Sequence, residues 1–349
     1  MERALLWGIQ TGIFLILLMP LIVSTGTIFP YIVGKALWAR SLIEATFALW
    51  LILAWRYPQY RPRRSYILAA FCVYLAVSVL AGVFGVSLTH SLWSNYERMQ
   101  GIIDLAHWFL FVLVLASVLK TSVQWRPIFN FNLAVSLAVS ILGLSQHYDV
   151  KLLPYLEKTA RLDITFGNPA FAGAYLLVNV FLALALLAGS FQPRPPMTDR
   201  RGGRVRRRQR DQARRTEVTL WLWRTFWLVT AGVDLWVLAL TGTRGSFAGL
   251  LAGLVLAGLA YIVWGRRPAL RWASAGLLVS GLVLVSAAFA LKDVGPVKEV
   301  ASKNILLGRL LTTRPGIGMD PGRVGAAKIG LQAFTARPVL GWGPENYSA

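Results

Sequence analysis

Thr241-Gly242-Thr243-Arg244-Gly245-Ser246 is a polar knot between two long apolar runs, Leu220 to Leu240 and Phe247 to Trp264. Each run has about the 20 residues that a helix needs to cross a bilayer, so Arg244 falls at a membrane boundary. A guanidinium there is costly unless it reaches water, lipid headgroups or an anionic partner. Gly242 and Gly245 leave the backbone beside it bare enough for a ligand to come close. Two readings are open: an arginine that snorkels from a tight turn, or a fixed cation that stabilises charge growing on an anionic leaving group.

Further polar residues with chemical capacity cluster in three other stretches. After the third apolar run comes Ser91 to Gly101, holding Glu97 and Arg98, with Asp104 and His107 opening the next helix. After the fifth comes Arg161-Leu162-Asp163-Ile164-Thr165-Phe166-Gly167-Asn168-Pro169, where Asn-Pro makes a turn directly before a helix. The third is the C-terminal stretch, with Arg309, Arg314, Arg323 and Arg337. An attacking hydroxyl needs a general base, and Glu97, Asp163 and His107 are the candidates.

Each has a plainer reading. Glu97 and Arg98 can cap and solvate the start of the fourth span. His107, about a turn and a half inside an apolar helix, can be a hydrogen-bonded packing residue, with Asp104 three residues earlier placed to orient it. Arg40 and Glu44, spaced i, i+4, can pair on one helix. Asp234 lies ten residues before Arg244, about 15 Å along a straight helix, so the two do not pair directly. A carboxylate inside a span is a functional candidate by default, or else it is neutral or paired to another span. Arg309, Arg314 and Arg337 can bind an anion or solvate the surface.

The elements that must position these residues are helices in a membrane. Of 349 residues 56% are hydrophobic and only 15% charged, and the mean hydropathy is +0.56, too apolar for a soluble globule. Apolar windows predict an all-α, polytopic membrane bundle of about nine spans, near 5–23, 36–55, 66–87, 102–119, 128–144, 168–189, 219–240, 247–264 and 272–291. Residues 1–291 then form the transmembrane domain, and 292–349 begin a large outer loop. The formal charge of +21 suggests nucleic acid or an acidic surface. The basic residues alternate between loops instead, with Arg56 to Arg64, Arg194 to Arg215 and Arg266 to Arg271 on one side. The positive-inside rule puts that side, and the N-terminus, in the cytoplasm.

The arginine-rich loop 192–217 carries Pro193, Pro195, Pro196, Gly202 and Gly203 and is expected to be disordered. It has no interleaved aromatics, so membrane lipids rather than nucleic acid are its expected partner. A single cysteine, Cys72, excludes an intrachain disulfide, and the three histidines are too scattered for a metal motif. Gly249 and Gly253 make a small-xxx-small face that lets a neighbouring helix approach.

Five stretches in order resemble the O-antigen ligase and polymerase family of bacterial envelope enzymes. They are Phe29-Pro30 through Lys35 with Arg40 and Glu44; SLWSNYERMQG with His107; TFGNPAFAGAYLL; LTGTRGSFAGL; and GRVGAAKIGLQAFTARPVLGWGPENY. The resemblance implies glycosyl transfer at the outer face of the bacterial cytoplasmic membrane. Glycan moves from a polyprenyl diphosphate carrier to an acceptor glycan, lipid A core or protein, with no cofactor or metal. It also implies that Arg244 and Arg323 hold the diphosphate, with Arg309, Arg314, Arg98, Glu97, His107 and Asn168 as binding candidates. The family's loop histidine, which follows the Gly-Trp-Gly segment, has no counterpart before Ala349, so the resemblance implies a truncated chain. Two alternatives stand beside it: a polytopic transporter or flippase, and an inactive remnant. The polar clusters gather at span ends and no internal repeat is visible, which separates the chain from most transporters.

Overall fold

The computed structural model describes residues 1–95, 97–191, 204–265 and 321–346, with scattered positions between 268 and 299; within 204–216 it describes the backbone only. Helices dominate, and no strand occurs among the described residues. They are α1 (Glu2–Leu17), α2 (Val33–Arg56), α3 (Tyr66–Val83), the short α4 (Leu88–Trp93), α5 (Ile102–Val118), α6 (Ser122–His147), α7 (Pro169–Gly189), α8 (Arg204–Leu240), α9 (Arg244–Trp264) and α10 (Pro321–Ala336). Among the described residues seven helical segments are long and apolar enough to cross a membrane, and the 17-residue α5 is a shorter apolar helix. The protein is an all-α membrane protein. Of the nine expected spans, the first eight correspond to helices; most of the ninth, 272–291, lies outside the described residues.

Local sequence sets the helix starts. Ser65 accepts from the Leu68 amide, Ser87 from the His90 amide and Asn168 from the Ala170 amide, each satisfying a donor that the first helical turn leaves orphaned. Pro169 follows Asn168 at the first helical position, where its missing N–H costs nothing. Two boundaries differ from expectation. α6 begins at Ser122 and carries Pro127 inside it, because Gln124 Oε1 accepts from the amides of Lys120 and Thr121 and starts the helix before the proline. α8 begins at Arg204, so residues 204–217 are helical rather than disordered. Arginine and glutamine are good helix formers, and the apolar half of the same helix propagates order into them. Residues 192–203 lie outside the described residues.

The chain forms two compact units, Met1–Val135 with Pro315–Ala349, and Ser136–Arg314. In the first, Ile9, Ile13 and Ile16 of α1 pack with Ile43, Trp50 and Leu53 of α2 and Phe111, Val114 and Val118 of α5. α1 and α2 approach closely at Gly12, where a Cβ would strike the Thr46 side chain. In the second, Leu176, Val180 and Ala183 of α7 and Trp227, Ala231, Val237 and Leu238 of α8 are buried. Gly249 and Gly253 of α9 face α7, where a Cβ would meet Leu177 Cδ2 at 2.9 Å and Phe181 Cε2 at 2.8 Å. The expected close helix approach is present. α3 and α9 leave Ile67, Val73, Leu254 and Leu256 exposed, as lipid-facing surfaces do.

Candidate functional site

In the second unit the polar knot is the turn between α8 and α9. Gly242 takes φ 58°, a left-handed conformation that a side chain disfavours, and this lets α9 start again at once. Thr241 Oγ1 donates to Leu238 O at 2.7 Å, which commits its only proton. The Thr243 hydroxyl, 2.8 Å away, is therefore the donor in the bond between the two threonines. Both are buried, and Arg161 Nε clamps the turn by donating to Thr241 O at 3.0 Å. α7 closes the third side: a Cβ on Gly173 would strike Thr243 Oγ1 and lie 2.6 Å from Ser246 Oγ.

Arg244, the first residue of α9, is thus fixed at its backbone while its side chain is exposed. Among the described residues its guanidinium has no hydrogen-bond or ion-pair partner. Beside it Gly245 faces open space, since a Cβ there would meet nothing within 4 Å. α7 also starts near this turn, but Asn168 already accepts from its first amides; α9 has no side-chain cap, so its N-terminus presents unpaired N–H groups and positive partial charge. The arrangement is suited to an anion.

Asn168 caps α7 through its Oδ1, so its visible work is structural. Asp163 is half-buried; its Oδ1 accepts from Gln146 Nε2 at 2.7 Å, and Gln146 also accepts from the Ile164 amide at 3.0 Å and donates to Glu157 O. Asp234 is fully buried. Ser136 and Ser140 of α6 donate to its two oxygens at 2.7 and 2.6 Å, so it bonds to another span and not to Arg244.

In the first unit Arg40 and Glu44 of α2 pair with Asp104 and His107 of α5 across the two helices. Arg40 donates to Asp104 Oδ1 through Nε (3.1 Å) and Nη2 (3.0 Å), and through Nη2 also to Met99 O. Trp108 Nε1 donates to Asp104 Oδ2 at 3.1 Å. Two sequence expectations are corrected. Arg40 does not pair with Glu44, and Asp104 does not orient His107. The i, i+4 spacing on α2 faces the i, i+3 spacing on α5, so each residue finds its partner across the interface, and the Arg40–Asp104 pair is largely withdrawn from water.

His107 Nδ1 lies 2.7 Å from Ile103 O and Nε2 lies 2.9 Å from Glu44 Oε1. A carbonyl only accepts, so Nδ1 carries a proton. The contact with Glu44 then holds one further proton, on the imidazole or on the carboxyl. His107 is 14% exposed and Glu44 66% at their side chains, so this pair is open to solvent through the carboxylate.

Glu97 and Arg98 occupy an exposed turn before α5, where Asn95 Oδ1 accepts from the Arg98 amide; neither side chain is drawn into the pairs below. Arg337 stacks over Trp342 at 4.4 Å. Arg323 is in α10, in a different unit from Arg244, and only its backbone is described. Arg309 and Arg314 lie outside the described residues. Among the described residues no three of His, Cys, Asp and Glu come together as metal ligands.

Several structural partners were not singled out from sequence. Arg161 and Gly173 fix the Thr241–Arg244 turn, and Gln146 holds Asp163. Their signal is weak, because an arginine in a polar loop, a glycine in an apolar helix and a glutamine at a span end are each common. In the first unit the Gly-Trp-Gly-Pro-Glu-Asn segment docks on the turn between α3 and α4. Val86 N donates to Trp342 O at 3.0 Å, Ser91 Oγ to Pro344 O at 3.0 Å, Asn346 Nδ2 to Ser91 Oγ at 2.8 Å and Ser94 Oγ to Glu345 Oε2 at 2.8 Å. A cavity of about 190 Å³ lies beside it, lined by Tyr74, Ser78, Gln100, Asp104, Trp108 and Glu345 among others. No protein-family model, no curated protein and no solved structure matches this chain.

Proposed function

We propose that the protein is a glycosyltransferase of the O-antigen ligase and polymerase type, acting at the outer face of a bacterial cytoplasmic membrane with its N-terminus in the cytoplasm. Its donor is a glycan on a polyprenyl diphosphate, and its acceptor is a hydroxyl of a second glycan, of lipid A core or of a protein. The observation that carries this reading is Arg244. It is an exposed guanidinium on a tight turn, unpartnered among the described residues, with open space at Gly245 and the uncapped N-terminus of α9 beside it.

In the reaction the acceptor oxygen bonds to the anomeric carbon as the bond to the diphosphate oxygen breaks. The electron pair leaves with the diphosphate, where a preorganised cation stabilises the growing charge more than water does. The acceptor proton passes to a carboxylate, and Asp163 is the candidate within the same unit, with Gln146 holding its other face in place. The test measures binding of undecaprenyl diphosphate to the detergent-purified protein. Loss of one charge-assisted contact is worth about 1.5–3 kcal/mol, so Arg244→Ala is expected to weaken binding roughly 10- to 100-fold. Leu256→Ala, at an exposed apolar position of α9, serves as the control. Equal affinity in Arg244→Ala and wild type would rule the assignment out.

A further inference from the structure

Asp234 is buried without a countercharge. It is 0% exposed in the middle of an apolar helix, and no basic side chain among the described residues contacts it. Isolating a carboxylate from water in a membrane costs too much to persist, so something neutralises it. Its hydrogen-bond partners are hydroxyls. Ser136 and Ser140, a turn apart on α6, each bond one carboxylate oxygen, and Tyr175 of α7 directs its hydroxyl into electrostatic reach of Asp234. Thr230 lies i−4 from Asp234 on the same face of α8 and is fully buried.

The hydroxyls of Tyr175 and Thr230 touch no solvent and make no hydrogen bond of good geometry, although the Ser136 and Asn179 side chains lie close to that of Tyr175. A buried hydroxyl left poorly satisfied is a cost that native structures avoid, and two beside one buried carboxylate point to an occupant near it. A proton on Asp234 would neutralise the carboxylate but would leave both hydroxyls unexplained.

We propose that Asp234, Ser136, Ser140, Tyr175 and Thr230 form a site for an exchangeable monovalent cation, sodium, which competes there with a proton. Hard oxygen donors from three helices suit a small hard cation. One carboxylate balances one positive charge, and a divalent ion would leave the buried site charged. Exchange conserves charge, one sodium entering as one proton leaves. On sodium binding the two serines rotate their hydroxyls, so that lone pairs instead of protons face the ion.

The proposal does not depend on glycosyl transfer, and its test uses the wild-type protein in detergent with a carbodiimide that modifies only protonated carboxyls. The expected result is modification of Asp234, located by peptide mass analysis, that sodium chloride suppresses in a saturable way and choline chloride at equal ionic strength does not. Ser140→Ala is expected to raise the sodium concentration needed by at least tenfold. In parallel, sodium over choline is expected to raise the thermal unfolding midpoint of wild type and not of Asp234→Asn. Modification of Asp234 that is indifferent to sodium would show a structural protonated carboxyl and overturn the proposal. Failure to modify Asp234 under any condition, together with a sodium-independent unfolding midpoint, would overturn it as well.

Discussion

Arg40 of α2 and Asp104 of α5 form an ion pair at 3.0 Å, with side chains only 11% and 20% exposed. The pair ties the two helices of the first unit at the level of the 94–100 turn, because the same guanidinium also bonds Met99 O. Removing one member of a buried pair leaves the other uncompensated, a loss of about 3–5 kcal/mol when burial is complete. Asp104→Asn or Arg40→Ala alone is expected to approach the lower end of that range by thermal unfolding in detergent. Arg40→Met with Asp104→Leu is expected to recover much of it. A double variant no better than the additive loss would show that the charges themselves are required.

Gly173 decides where Arg244 can stand. α7 passes so close to the turn that a single methyl would collide with Thr243 and crowd Ser246 at 2.6 Å. Both atoms are buried, and one of them takes part in the bond that closes the turn, so neither yields freely. Overpacking of this kind costs about 1–3 kcal/mol. Gly173→Ala is expected to lower stability by that amount and to weaken undecaprenyl diphosphate binding. Gly245→Ala, beside Arg244 but facing open space, is expected to bind as wild type. Matching behaviour of the two variants would separate Gly173 from the placement of Arg244.

Periodicity and capping made the helices legible in the sequence. Apolar runs, Asn-Pro before α7 and the Thr-Gly-Thr break before α9 located eight spans, because membrane-crossing helices obey one strong constraint, that every backbone group be satisfied internally. Pairing was not legible. Arg40 and Glu44 share a helical face, and spacing alone favours their union; only the approach of α5 sends one to Asp104 and the other to His107. Asp234 was visible as an intramembrane carboxylate, while Ser136 and Ser140 were not, since serines in a span read as small packing residues until a helix facing them carries an acid. Asn168 shows the opposite case, a residue whose place in the resemblance suggested ligand contact and whose Oδ1 caps a helix.

Tyr60, in the connection between α2 and α3, donates its hydroxyl to Glu2 Oε1 at 3.0 Å. Partial desolvation, then the hydrogen bond and charge of Glu2, raise its pKa above the ordinary phenol value. A raised folded-state pKa means that the unfolded chain ionises first. The contribution to stability is complete below about pH 10, the unperturbed value, and is lost as pH rises through the folded value. Wild type is expected to lose more stability than Tyr60→Phe between pH 9 and 11 (roughly one unit either side of that value), measured by chemical denaturation. Parallel curves would show that Tyr60 and Glu2 do not interact in solution.

Asn346 reaches back across the sequence to α4 and closes the docking of the Gly-Trp-Gly-Pro-Glu-Asn segment. Its Nδ2 donates to Ser91 Oγ at 2.8 Å and to Trp342 O at 3.0 Å, while Ser91 Oγ donates to Pro344 O. Gly343 makes the approach possible: at φ 92° and with its Cα edge 2.9 Å from where a Cβ on Gly85 would be, it leaves no room for a side chain on either residue. Two glycine backbones in contact, with a buried serine and asparagine between them, hold the segment by polar bonds more than by apolar burial. Such a contact opens when one bond is lost, because the remaining buried donors then lack partners. Asn346→Ala and Gly85→Ala are each expected to free the segment, seen as faster hydrogen exchange at residues 85–94 and faster proteolysis within 337–346. Wild-type exchange rates in both variants would mean that the segment is held elsewhere, and that the Ser91 bonds follow from docking rather than cause it.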